Sequence, residues 1–129
     1  MELLEGERVL AFDLETTGIS TSRDRIVQLA LIGSDVDGTE ISYDRLVNPR
    51  RPIPYDSQRI HGISDADVRG EPDFAQIADS VSNLIEGCVL IGHNVRQFDL
   101  PMLRNEFFVL ERCLQNRRRS LIRSRWFVD

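Results

Sequence analysis

The stretch RVLAFDLETTG, residues 8–18, reads as a strand running into a turn, and its apolar opening suits a core position. It nevertheless carries Asp13 and Glu15. Side chains alternate faces along a strand, so the two carboxylates share one side and Leu14 takes the other. Like charges held this close repel and lose hydration unless a cation lies between them. The pair is therefore either a solvated strand end or half of a metal site.

The remaining pattern sets this strand in a sheet. Residues 25–36 have the aliphatic content of a second strand, and the Asp37-Gly38 turn leads into a third over 40–47. Short turns between successive strands imply an antiparallel meander. Residues 48–56 hold three prolines and read as loop, followed by a short helix ending near Gly62. Phe74, Ile77, Ala78, Val81, Leu84 and Ile85 fall at helical spacing within 72–87, with Gly87 as the stop. Residues 88–94 form a short apolar strand, expected to be buried on both faces. A helix follows over 98–114, with Asp99 and Pro101 at its beginning. The order β-β-β-α-β-α predicts one α/β domain, a mixed sheet with helices packed against it.

Charge narrows the chemistry. All 16 basic residues are arginine, and the absence of lysine excludes a P-loop, a Schiff-base enzyme and a Ser-Lys dyad. Residues 1–111 hold 20 acidic residues against 10 arginines, whereas 112–129 hold six arginines against Asp129. An acidic body repels a polyanion, so any nucleic-acid contact must be local, through arginines or metal ions. The basic segment 115–125 contains Arg117–Arg119, which reads as a phosphate contact, a solvated stretch or a loss of register near an altered end. Cys88 and Cys113 suggest neither a disulfide framework nor a zinc knuckle, and Cys88 suits the core. The acidic opening MELLEGE lacks the form of a signal peptide, and no apolar run could span a bilayer. A cytoplasmic protein without membrane association is expected.

A second acidic position lies in GHNVRQFD, residues 92–99, where a strand ends at His93-Asn94 and leads into Asp99. Ligands bind at the C-terminal ends of strands in such sheets, so Asp13, Glu15 and Asp99 could converge there. Their hard oxygen donors suit magnesium or manganese, not zinc. Asp99 alone is more often a helix cap than a ligand, Asn94 suits the strand-to-helix turn, and His61 and His93 have structural as well as substrate-contacting readings.

The segments FDLETTG, RIHGIS and GHNVRQFD, in this order, resemble the DEDD-type 3′→5′ exonucleases of the DnaQ-like branch, typified by the proofreading epsilon subunit of bacterial replicative polymerases. The resemblance runs from about Arg8 to Leu110. It implies an RNase H-like fold and two-metal removal of nucleotides from the 3′ end of single-stranded DNA or RNA, with a DNA polymerase subunit as a candidate partner. Asp13 and Glu15 match the first-motif ligands of Mg2+ or Mn2+, and Asp99 matches the second-motif carboxylate. Leu14, Thr16, Thr17, His61 and Asn94 match the part that receives the terminal nucleotide. The third motif, a histidine followed by an aspartate, has no match here, since Asp129 alone of those types follows Asp99. Trp126–Asp129 resembles the strand before the last helical region, so the domain is expected to be incomplete at its C-terminus. Neither His61 nor His93 matches the family's general base. The rival expectation is a non-cutting relative that binds a nucleic-acid end or a polymerase.

Overall fold

The computed structural model describes residues 6–114. The segment 115–125 and Trp126–Asp129 lie outside them. Strands β1 (Val9–Thr16), β2 (Ile26–Ser34) and β3 (Glu40–Leu46) form the antiparallel meander, and β4 (Val89–Ile91) lies parallel to β1. The sheet order is β3-β2-β1-β4. Helices α1 (Tyr55–His61) and α2 (Asp65–Val68) follow β3. Helix α3 (Phe74–Ile85) precedes β4, and α4 (Leu100–Leu114) follows it. No helix among the described residues is long and apolar enough to cross a membrane.

Alternation decides which face is covered. Leu10, Phe12 and Leu14 of β1 and Leu29 and Leu31 of β2 point to one side. There they meet Phe74, Ile77, Val81 and Ile85 of α3 and Met102, Leu103 and Phe107 of α4. Phe74 and Phe107 meet edge to face, with centroids 4.9 Å apart, locking the two helices together. Cys88 is buried beside them, and burial pushes its thiol up to about 11, as suits an inert core residue. A smaller cluster of Val27, Ile53, Ile63 and Val68 covers one end of the opposite face. Elsewhere on that face Ala11, Asp13, Glu15, Gln28, Ala30, Ile32 and Asp44 line an open trough of about 560 Å³.

Three expectations need correction. Strand β4 is not buried on both faces: Leu90 is buried, but Ile91 is 48% exposed. Helices α3 and α4 cover one side of the sheet, and among the described residues β1 is the strand that β4 pairs with. Helix α2 is an addition, four residues set by a capping box in which Ser64 and Asp67 satisfy each other's backbone N–H. The last helix begins at Leu100, after a π turn over Val95–Asp99. The N–H of Leu100 reaches back to the Val95 carbonyl, and Pro101, having no N–H, lets the ordinary ladder restart beyond it.

Candidate active site

Asp13 and Glu15 stand on the open face of β1, opposite Ala30 and Gln28 of β2. Asp13 is exposed and Glu15 half-buried. Burial raises the Glu15 carboxyl above its ordinary range; the Asp13 charge adds to this and His61 opposes it. The register shifts between Glu15 and Thr16, which ends regular pairing at the site.

Asp99 arrives from the other side of β1. At Gly92 a Cβ would lie 2.6 Å from the Phe12 carbonyl, so glycine lets the chain press against β1 beside Asp13. Asn94 then adopts φ 58°, a left-handed conformation that asparagine tolerates, and its carbonyl accepts the N–H of Phe98 at 2.9 Å. The π turn that follows delivers Asp99 into the interior, 4% exposed. Its carboxyl is pushed up to about 7 by burial, then by the charges of Asp13 and Glu15. The three carboxylates therefore sense one another, although among the described residues no three His, Cys, Asp or Glu side chains already form a closed ligand cluster. Mutual repulsion, an all-oxygen donor set and an open trough fit a hard divalent cation.

The other residues singled out in the sequence fall into place around the β1–β2 loop. Thr17 is buried; its hydroxyl donates to Asp24 at 2.8 Å and accepts the Arg25 N–H at 3.0 Å. Only its backbone faces α1, where Ser57 Oγ donates to the Thr17 carbonyl at 2.6 Å. His61 Nδ1 accepts the Ile63 N–H at 3.1 Å, so the proton is assigned to Nε2, which donates to the Thr16 carbonyl at 3.1 Å. Leu14 is core, beneath the site. Asn94 is exposed and acts through its backbone, and His93 is exposed on the trough wall.

Sequence reasoning missed two features. Ile19 is 90% exposed beside the loop, and Ile60, 83% exposed, immediately precedes His61. An isoleucine next to Gly18 and another on a helix with no apolar stripe were the available signals. The second feature is Glu106, 1% exposed, bound to Arg25. Its place among Met102, Leu103, Phe107 and Leu110 on the apolar stripe of α4 was the clue.

A mixed sheet with α3 and α4 packed on one face, with carboxylates from its first strand and from the turn into α4, is an RNase H-like fold bearing an acidic site. Residues 10–127 match the family model described as Exonuclease. The chain belongs to the exonuclease family. It is 39% identical over 111 residues to a DNA polymerase III subunit epsilon-like protein of Rhodobacter capsulatus, an alignment covering 83% of this chain and 16% of that protein. It is 36% identical over 96 residues to the DNA polymerase III subunit epsilon of Treponema pallidum, covering 74% of this chain and 44% of the relative. The chain thus spans less than half the length of either. E. coli exonuclease I in complex with a dT13 oligonucleotide superposes with a TM-score of 0.68 at 25% identity, over 78% of this chain and 23% of that one.

Proposed function

We propose that this chain is a divalent-metal-dependent exonuclease domain that releases nucleoside monophosphates from the 3′ end of a nucleic-acid strand. The carrying observation is geometric: Asp13 and Glu15 share the open face of β1 and line the trough, and the turn after Gly92 brings the buried Asp99 in beside that strand. Asp13, Glu15 and Asp99 would hold Mg2+ or Mn2+. When bound, such ions supply the positive charge that activates water and offsets the charge developing on the leaving 3′ oxygen.

The chain's own residues account for the rest. The backbone of Thr16 and Thr17, fixed by His61 and Ser57, offers a rigid edge to the terminal nucleotide. Ile19 and Ile60 offer it apolar surface against which a base can lie. The complex of E. coli exonuclease I with dT13 and the polymerase III epsilon relatives support a single-stranded 3′ end as substrate and a DNA polymerase subunit as partner. This reading puts the activity in the cytoplasm.

The test is digestion of 5′-labelled single-stranded DNA and RNA with manganese, comparing the chain with Asp13→Ala. Stepwise shortening from the 3′ end that vanishes in the variant and with chelator is expected. Internal cleavage, or digestion untouched by Asp13→Ala, would overturn the proposal. A second reading, a module that holds a 3′ end without cutting, is favoured by the fact that neither His61 nor His93 matches the family's general base. Its signature is metal-dependent binding of the strand without shortening.

A further inference from the structure

Glu106 belongs to no part of the carboxylate site, yet it is a charged residue 1% exposed in the middle of α4. Arg25 grips it with a fork, Nη2 to Oε1 at 2.7 Å and Nε to Oε2 at 3.1 Å. The Ile26 N–H donates to the same carboxylate at 2.9 Å. Burying an ion pair gives up the hydration of both charges, and apolar residues of similar volume commonly stabilise a fold as well or better. Stability alone therefore gives no reason for charge here. Direction does: an apolar contact lets a helix roll or slide, whereas a two-pronged guanidinium–carboxylate bond fixes it in plane and register.

Both ends of this fork lead to the proposed site. Glu106 lies in α4, the helix that the turn ending at Asp99 leads into, seven residues further along the chain. Arg25 is bonded to Thr17 through both backbone groups: its N–H donates to the Thr17 hydroxyl at 3.0 Å, and its carbonyl accepts the Thr17 N–H at 2.9 Å. A chain of direct hydrogen bonds thus runs from the helix that follows Asp99, through Glu106 and Arg25, to Thr17.

We propose that Glu106 is a positioning residue: through Arg25 it fixes the Thr16–Thr17 backbone, as receiver of the terminal nucleotide, relative to the helix that follows Asp99. This rests on the function proposed above. Two variants separate positioning from mere stability. Glu106→Gln keeps the acceptor for the Ile26 N–H and removes the charge. Arg25→Met/Glu106→Gln also removes the guanidinium, so the two members of the ion pair are replaced together and a folded variant remains to be read if the single one unfolds. Amide hydrogen exchange of the ligand-free chain is read first, then calorimetric titration with thymidine 5′-monophosphate in magnesium. In both variants the Thr17 amide is expected to exchange faster than in the wild type while the β3 amides keep their protection. Monophosphate affinity should fall roughly tenfold, the scale of one charge-assisted hydrogen bond. If the double variant keeps wild-type protection at Thr17 and wild-type affinity, the proposal is overturned. Loss of protection across β3 as well as Thr17 would also overturn it, since that is a purely structural role. A wild-type chain that binds no monophosphate would instead overturn the functional reading, and with it the purpose assigned to the fork.

Discussion

Asp99 lies buried within reach of the charge on Asp13, and burial together with that charge and Glu15's moves its titration to about 7. The site therefore has a protonation equilibrium near neutrality, on the residue that links the open face of the sheet to α4. Without a cation, one of the three carboxylates takes up a proton before its neighbours.

This makes stability depend on pH in a stated direction. Asp99 binds its proton more tightly in the folded chain than in the unfolded one, where an aspartate titrates near ~3.9. Its contribution is least unfavourable at acid pH, worsens as pH rises from about 4, and levels off above the folded value of about 7. The full cost is on the order of a few kcal/mol. Asp35 and Asp37, held low by their hydrogen bonds, act in the opposite sense at lower pH, so the comparison must be between variants. Thermal unfolding in chelator should show Asp99→Asn more stable than the wild type at pH 8 and the gap closing towards pH 5. Parallel profiles would contradict the assignment.

Divalent metal should reverse the penalty. Binding to the folded state alone adds about 2.7 kcal/mol at a hundredfold excess over the dissociation constant. Near pH 6.5 binding should also release a proton, because Asp99 must ionise to act as a ligand. Melting in magnesium, manganese and chelator measures the first effect, and calorimetry in buffers of different ionisation enthalpy the second. Asp13→Asn should abolish most of the response and raise metal-free stability. Identical melting in every condition would remove the metal from the proposal.

How much of this was legible in the sequence depended on the range of the interaction. Alternation along residues 9–16 was enough to put Asp13 and Glu15 on one face, because strand geometry is local. The same reasoning misjudged β4: exposure of Ile91 depends on what covers the sheet, and an apolar run says nothing of its cover. The π turn before Asp99 was not legible from spacing, which distinguishes helix from strand but not five-residue from four-residue closure. The partnership of Glu106 with Arg25, 81 residues away, is a tertiary fact with no local signature beyond an acid on an apolar stripe.

Thr17 gives a test of the loop that is independent of metal. Its hydroxyl both donates to Asp24 and accepts from the Arg25 backbone, inside a buried setting. Thr17→Val keeps the shape and leaves both partners without that hydroxyl. Chemical unfolding should show a loss of about 1–3 kcal/mol, the cost of stranding buried polar groups. Monophosphate binding should weaken, while the melting response to magnesium should persist because no carboxylate ligand has changed. Wild-type stability in this variant would mean that the loop is held elsewhere.

The two histidines should separate cleanly in kinetics. His61 accepts the Ile63 N–H at Nδ1 and donates from Nε2 to Thr16, so neither nitrogen offers a lone pair to an incoming proton. His93 instead lines the trough with Asp13 and Glu15, where its ring faces solvent. Any histidine-dependent acceleration of cleavage by this chain therefore belongs to His93. With manganese and a labelled strand, His61→Ala should raise KM, because the Thr16 carbonyl and the Ile63 N–H lose their partner. It should leave kcat in place. His93→Ala should lower kcat, by up to roughly 10²–10⁴-fold if it serves as general base. The reverse pattern, a lowered kcat in His61→Ala with His93→Ala unchanged, would require the His61 ring to leave Ile63 during turnover and would refute the tautomer assigned to it. If wild type and both variants leave the strand uncut but bind its 3′ end, the binding-module reading stands.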